Sequence, residues 1–297
     1  MGNSDILTLS VVNFKVKARD TESNLKRITG FAGAAARQGS EIAVFPELSL
    51  SGYDVFISEH AGAREKEEVA YAANDKIMTV LSETAREYGI AIVLGMPGFE
   101  DGKFYNEAVY VGEDGGISRY RKIHLFGKES KFFSKGAKPI MVNTKWGKIG
   151  LSICYDTYQF PELLRIYAAA GCRLVINPTA MIEEVGINGS RKSFENYYIK
   201  SLEYGAFCNG IYIASANLTG YDETSYFGGA SGIFGPKITP FCEVDSHIYA
   251  GGQDNSQEGL VTKTIDLSLA DRRIFIKNEF TGESDYRPEL YKALIGA

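Results

Sequence analysis

An α/β fold made of two related β-α-β-α-β halves is the class this sequence predicts. Two observations carry that prediction. Short apolar, β-branched runs alternate with stretches that repeat apolar residues at helical spacing. The succession strand, helix, strand, helix, strand also occurs twice, restarting at Lys148. With 297 residues and no Pro/Ser-rich linker, the chain is expected to form one domain over 1–297.

The elements follow in order. Ile6 to Phe14 is apolar and β-branched, a buried strand. Thr21 is the expected N-cap of a helix in which Leu25, Ile28, Ala32 and Ala35 share a face, with Gly39 as its stop. Ile42 to Phe45 is a short strand ending in Pro46-Glu47. Residues 48–70 are mixed: Gly52-Tyr53 reads as a turn and Arg64 to Glu68 as a solvated face. Asn74 opens a second helix through Ile77, Leu81, Ala85 and Tyr88, and Ile90 to Leu94 is the third strand. Glu107 to Val111 and Ile117 to Tyr120 flank Gly112-Glu113-Asp114-Gly115-Gly116, which suits a hairpin. Residues 127–138 read as loop.

The second half runs strand 148–153, helix 160–170 with Pro161 in its first turn, strand 173–177, helix 193–208 and strand 211–216. Residues 226–240 and 258–266 add strands. The tail, about 280–297, has aromatic and apolar side chains that call for a docking surface, on this subunit or a neighbour.

Bulk properties narrow the function. Hydrophobic content of 44%, charged content of 23% and a net charge of -5 describe an ordinary soluble protein with no basic stretch for nucleic acid or a membrane surface. No apolar run reaches the roughly 20 residues of a membrane span. The start lacks the basic and apolar regions of a signal peptide. Cys154, Cys172, Cys208 and Cys242 are widely spaced with no C-x-x-C pair, which fits a reducing cytoplasm better than a disulfide framework or a zinc site. His60, His124 and His247 are too scattered for a metal, and there is no Walker loop, dinucleotide fingerprint, H-E-x-x-H or G-x-S-x-G. No cofactor is expected.

Two chemically capable residues then coincide. Glu47 follows the second strand, and Cys154 ends the first strand of the second half. Open α/β sheets bind ligands at the carboxyl ends of their strands. A thiol there needs a base and a positive charge to act as a nucleophile.

Val44-Phe45-Pro46-Glu47, Tyr120-Arg121-Lys122-Ile123-His124-Leu125-Phe126 and Leu151-Ser152-Ile153-Cys154-Tyr155-Asp156, with Phe160-Pro161-Glu162 after it, resemble the three signatures of the nitrilase (carbon-nitrogen hydrolase) superfamily, in the same order. Tyr105-Asn106, Asn177-Pro178-Thr179-Ala180, Gly229-Ala230-Ser231 and Arg287-Pro288-Glu289-Leu290-Tyr291 also look like family features. The resemblance implies a four-layer α-β-β-α sandwich and a homodimer or higher homo-oligomer. It assigns catalysis to Glu47, Lys122 and Cys154, and places Glu129 where many relatives carry a second glutamate. It implies Glu47 as general base and Lys122 as a cation favouring the thiolate. An oxyanion would face Lys122 and the Tyr155 N–H. Tyr53, Tyr155, Asp156 and Thr179 are the expected substrate or oxyanion contacts. His124 is expected to support the Lys122 loop.

The implied reaction is cofactor-free hydrolysis of a small non-peptide C–N bond through a Cys154 thioester. The first candidate is a carboxamide, in particular an ω-amide acid. An N-carbamoyl amine or amino acid is second and a nitrile third, and a catalytically silent module of the same fold is the non-enzymatic alternative. The sequence departs from many family amidases after the nucleophile. Cys154 to Glu162 is one residue longer, and Gln159 stands before Phe160 where an Arg is common. Gly205-Ala206-Phe207-Cys208-Asn209 also lacks an Arg and a Glu usual there.

Overall fold

The computed structural model describes residues 4–73, 75–185, 191–192, 195–236, 248–252, 256–270, 272, 277–284 and 286–295. In the first half, β1 (Ile6–Asn13), α1 (Thr21–Arg37), β2 (Ile42–Val44), α2 (Asp54–Ile57), α3 (Ala63–Tyr71), α4 (Asp75–Tyr88), β3 (Ala91–Glu100), β4 (Lys103–Val111) and β5 (Ile117–Arg121) follow one another. The second half contains β6 (Ile140–Thr144), β7 (Gly147–Leu151), α5 (Tyr155–Tyr158), α6 (Pro161–Ala169), β8 (Leu174–Thr179), β9 (Ile182–Val185), β10 (Arg191–Lys192), α7 (Glu195–Asn209) and β11 (Tyr212–Asn217). Then come β12 (Thr219–Tyr221), β13 (Tyr226–Gly228), β14 (Gly232–Phe234), β15 (Ile248–Gly251), β16 (Gly259–Asp266) and α8 (Pro288–Ile295).

The strands form one sheet in the order β16-β1-β2-β3-β4-β5, a second in the order β15-β14-β11-β8-β7-β6, and a small sheet β10-β9-β13-β12. The centre of each large sheet is parallel: β2 lies between β1 and β3, and β8 between β7 and β11. This is the expected pair of β-α-β-α-β units. The layers follow from strand periodicity. Val44 packs in a central core with Leu9, Leu151 and Ile176 from both sheets, and the same buried cluster continues through the second sheet to Leu163, Leu164 and Leu202 of α6 and α7 on its outer face. Its neighbours Ala43 and Phe45 point the other way, into a core with Ile28 and Ala32 of α1 and Leu81 and Ala85 of α4. The result is the four-layer α-β-β-α sandwich.

The structure corrects several details. Asp20 rather than Thr21 caps α1, accepting from the Ser23 N–H, and Thr21 is the first helical residue. Asn74 lies outside the described residues. Residues 48–71 contain α2 and α3; in the Arg64 to Glu68 run Arg64, Glu67 and Glu68 are exposed, with an Arg64–Glu68 pair at 2.9 Å, while half-buried Glu65 pairs with Arg19 and Lys66 donates to the Phe56 and Ser58 carbonyls. The third strand continues to Glu100 and turns at Asp101-Gly102, both at positive φ, so β3 and β4 form a long hairpin before the expected one at 112–116. Edge strand β6 and the small sheet were not expected. Of residues 226–240, 237–240 lie outside the described residues, as do Cys242 and His247. The tail touches its own subunit: Tyr286 packs on the central core with the Arg165 guanidinium over its ring.

Candidate active site

Four chain segments converge at the carboxyl ends of β2 and β7. Glu47 follows the Phe45-Pro46 exit of β2, and Leu48 after it has φ 49°, which turns the chain sharply away. Gly95 on β3 allows the approach. A Cβ there would stand 2.4 Å from the Glu47 Cα. Lys122 follows β5, and its backbone N–H donates to the Asn106 carbonyl at 2.9 Å. Glu129 sits in a short 3-10 turn, Gly127–Lys131, and accepts from the Phe126 N–H at 3.2 Å. Cys154 ends the segment after β7, between strand and helix, with φ 45° and ψ -111°. An L-residue held in so sparsely populated a region stores strain and marks a site the surroundings over-determine.

The side chains of Glu47, Lys122 and Glu129 are fully buried. The Lys122 ammonium donates to Glu47 Oε1 and to Glu129 Oε1, each at 2.7 Å. The Asn106 amide donates to Glu47 Oε1 at 2.7 Å, and the Tyr53 hydroxyl to Glu129 Oε1 at 2.7 Å. Glu47 Oε2 is buried and takes no hydrogen bond. Cys154 lies beside this cluster, close enough for Glu47 and Lys122 both to act on its thiol, which contacts the Thr179 side chain and Ala180 backbone.

Burial and neighbouring charges shift the titrating groups of the site. Burial pushes the Cys154 thiol up to about 12, the Glu47 carboxylate adds to this, and Lys122 opposes it without overcoming it. Burial therefore favours the neutral thiol in the resting site. Lys122 acts in the expected direction, favouring the thiolate, while desolvation and the Glu47 carboxylate work against it. Burial also raises the Glu47 carboxyl, partly offset by Lys122. Burial alone would lower the Lys122 ammonium, but the Glu129 and Glu47 carboxylates hold it well above the ordinary lysine range.

The expected substrate contacts divide. Tyr53 and Tyr155 line a cavity of about 460 Å³ at Cys154, with Phe126, Tyr158, Gln159, Ala180, Met181, Ile182 and Tyr197. Asp156 and Thr179 do not line it. Asp156 is fully buried, and its oxygens accept from the Tyr120 hydroxyl at 2.7 Å and the His124 N–H at 2.8 Å, with His124 Nδ1 also at 2.8 Å. It clamps the Lys122 segment to the cysteine turn, so His124 supports that segment as expected. Thr179 is fully buried behind the thiol and receives the Tyr158 hydroxyl. The backbone N–H groups of Cys154, Asp156 and Thr157 go to the carbonyls of Pro178, Ile153 and Cys154 at 3.0, 3.0 and 2.9 Å. That of Tyr155 takes no protein acceptor among the described residues.

Two contributors had no assigned role in the sequence. Asn106 was visible only as part of a motif. Asp222 accepts the N–H groups of Tyr53 and Asp54 at 2.6 and 2.8 Å, and so holds the turn that presents Tyr53. No local pattern joins residues so far apart. No group of three or more His, Cys, Asp or Glu among the described residues is arranged to hold a metal.

A family model described as Carbon-nitrogen hydrolase matches residues 8–274. The chain belongs to this family. A probable nitrilase of Schizosaccharomyces pombe is 30% identical, over 97% of this chain and 98% of its own. Omega-amidase NIT2 of Danio rerio is 35% identical over 87% of each chain. An amidase from Nesterenkonia sp. AN1, solved with the acetamide moiety of fluoroacetamide added covalently at its active site cysteine, superposes with a TM-score of 0.74 at 25% identity, over 97% of both chains. The chain is thus a carbon-nitrogen hydrolase over residues 8–274, and the structures it resembles carry an active site cysteine. No described helix is long and apolar enough to cross a membrane.

Proposed function

We propose that this chain hydrolyses a small carboxamide to a carboxylate and ammonia, with Cys154 as nucleophile, Glu47 as general base, and Lys122 and Glu129 as the groups that hold it and the developing charge. The observation that carries this is the state of Glu47: Oε1 is pinned by Lys122 and Asn106, while buried Oε2 has no partner beside a neutral thiol. A raised, desolvated carboxylate with one open oxygen suits a base that takes a proton only when the sulfur attacks.

Glu47 removes the thiol proton as sulfur bonds to the amide carbon, and the carbonyl π electrons move to oxygen. The oxyanion faces the Lys122 ammonium and the Tyr155 N–H. The intermediate collapses, the C–N bond breaks, and protonated Glu47 returns its proton to the departing nitrogen, which leaves as ammonia. Water, deprotonated by Glu47, then attacks the thioester carbon. The C–S bond breaks, and the sulfur recovers the proton from Glu47. Glu129 orients the Lys122 ammonium and is itself oriented by Tyr53.

Relatives named omega-amidase and (R)-stereoselective amidase favour amides over the N-carbamoyl and nitrile alternatives. Ammonia release from matched carboxamide, N-carbamoyl and nitrile panels tests this. Carboxamides should turn over, and Cys154→Ala should lose about 10⁴-fold or more while keeping its circular dichroism spectrum. Turnover of nitriles alone would overturn it.

We further infer a cytoplasmic homo-oligomer whose only ligand is a small molecule, with no nucleic-acid or membrane partner. The free thiols of Cys154, Cys172 and Cys208 support a reducing compartment. Exposed Ile166, Tyr204, Leu290 and Tyr291 on α6, α7 and α8 support self-association.

A further inference from the structure

We propose that the Thr179 hydroxyl, aimed by Tyr158, is a catalytic hydrogen-bond donor to the Cys154 sulfur and acts when that sulfur carries charge. The inference rests on the reading of Cys154 as nucleophile and adds a group to it. The end of β8 is tied to both reacting residues. The Cys154 N–H donates to the Pro178 carbonyl at 3.0 Å, and the Glu47 N–H to the Thr179 carbonyl at 3.3 Å. The Thr179 side chain is fully buried and lies against the thiol, outside the cavity lining. Its oxygen accepts the Tyr158 hydroxyl. Its own hydrogen then falls to the sulfur, since among the described residues it donates to no other acceptor.

Tyr158 is held in turn. Its hydroxyl lies 3.1 Å from Asn177 Oδ1, which also accepts from the Ser215 hydroxyl at 3.0 Å. The Asn177 N–H₂ donates to Thr157 Oγ1 at 2.7 Å. All these side chains are buried, so the direction of the Thr179 hydroxyl is set within the protein interior. Sulfur is a weak acceptor as a thiol and a strong one as a thiolate. A hydroxyl aimed at it therefore gains most in the steps where sulfur bears charge. When water has added to the thioester and the intermediate collapses, the C–S electron pair goes to sulfur, which then takes its proton from Glu47. The Thr179 hydrogen bond strengthens as that charge grows, and Thr179 keeps its own proton throughout. Burial works against a charged sulfur in this site, and a donor reaching it from outside the cavity offsets part of that cost whatever acyl group is bound.

Thr179→Val keeps the shape of the side chain and leaves Tyr158 its Asn177 acceptor, so no buried hydroxyl is orphaned. Alkylation of Cys154 by iodoacetamide at about pH 9, followed by mass spectrometry, reads the thiolate without relying on turnover. It should slow about three- to tenfold in Thr179→Val, because losing the donor disfavours the charged sulfur. Thr179→Ser, which restores the hydroxyl, should recover most of the loss, and Tyr158→Phe should fall between the two. After acylation with p-nitrophenyl acetate, decay of the acetyl-enzyme mass should slow about tenfold or more in Thr179→Val and recover in Thr179→Ser. An unchanged rate in either measurement overturns the proposal. So does a loss that Thr179→Ser fails to recover, since that outcome belongs to packing and not to the hydroxyl. If the wild type hydrolyses no amide while alkylation still slows in Thr179→Val and recovers in Thr179→Ser, the hydrogen bond stands and the amidase reading falls.

Discussion

At the scale of single residues, Cys154 and Glu47 are tuned against their obvious chemistry. The thiol is pushed up to about 12 and the carboxyl is raised as well, both chiefly by burial. A raised thiol pKa means that the neutral form persists as pH climbs. Thiolate absorbance near 240 nm, taken as wild type minus Cys154→Ala, is therefore expected to be absent at pH 8 and to grow only above about pH 10. A thiolate signal at neutral pH would show that Lys122 prevails after all. Glu47 and Cys154 were legible in the sequence as capable residues just past expected strands, and Lys122 through the family resemblance of its motif. Their protonation states were not, since those depend on how completely the fold removes water. The placement of Asp156 and Thr179 behind the cavity lining was hidden for a related reason. Proximity in sequence to the nucleophile does not say which way a side chain turns, and both turn inward.

At the scale of elements, the site depends on how closely β3 passes behind the end of β2. A Cβ on Gly95 would stand 2.4 Å from both the Glu47 Cα and the Leu48 backbone N, so Gly95→Ala must displace backbone rather than a flexible side chain. Overpacking of this kind costs about 1–3 kcal/mol, and a shift of about 1 Å in a catalytic group costs about 100-fold in rate. Gly95→Ala should therefore stay folded with a modestly lowered melting temperature, yet lose about 100-fold in amide turnover. Unchanged activity would mean that Glu47 tolerates displacement. The parallel central strands and their helices were readable from period and length. The β6 edge strand, the small sheet and the β3–β4 extension were not, because short or edge strands have weak patterns and are specified by partners distant in sequence.

At the scale of the whole molecule, the two halves share one interior. Leu9 and Val44 of the first sheet and Leu151 and Ile176 of the second belong to one buried cluster, which also holds Trp146, the sole tryptophan. We propose that the chain is a single cooperative domain. Melting followed by Trp146 fluorescence and by far-ultraviolet circular dichroism should then give coincident transitions. Two separated transitions would show that the halves fold as distinct units. The doubled architecture was visible in the sequence as a repeated order of elements. The face-to-face packing of the sheets came from the family resemblance, because periodicity shows that a strand has a buried face but not what covers it.

The buried cluster of two carboxylates and one ammonium has a consequence for heat resistance. Glu47, Lys122 and Glu129 place two carboxyl groups around one ammonium in a fully buried cluster. Removing one carboxylate leaves a balanced Lys122–Glu129 pair. Glu47→Gln should therefore be inactive and melt about 2–4 °C higher than the wild type. A lower melting temperature would show that the cluster holds the fold together instead of taxing it. If the variant does melt higher, selection for thermal endurance alone would drive this protein toward a sturdier molecule with no activity.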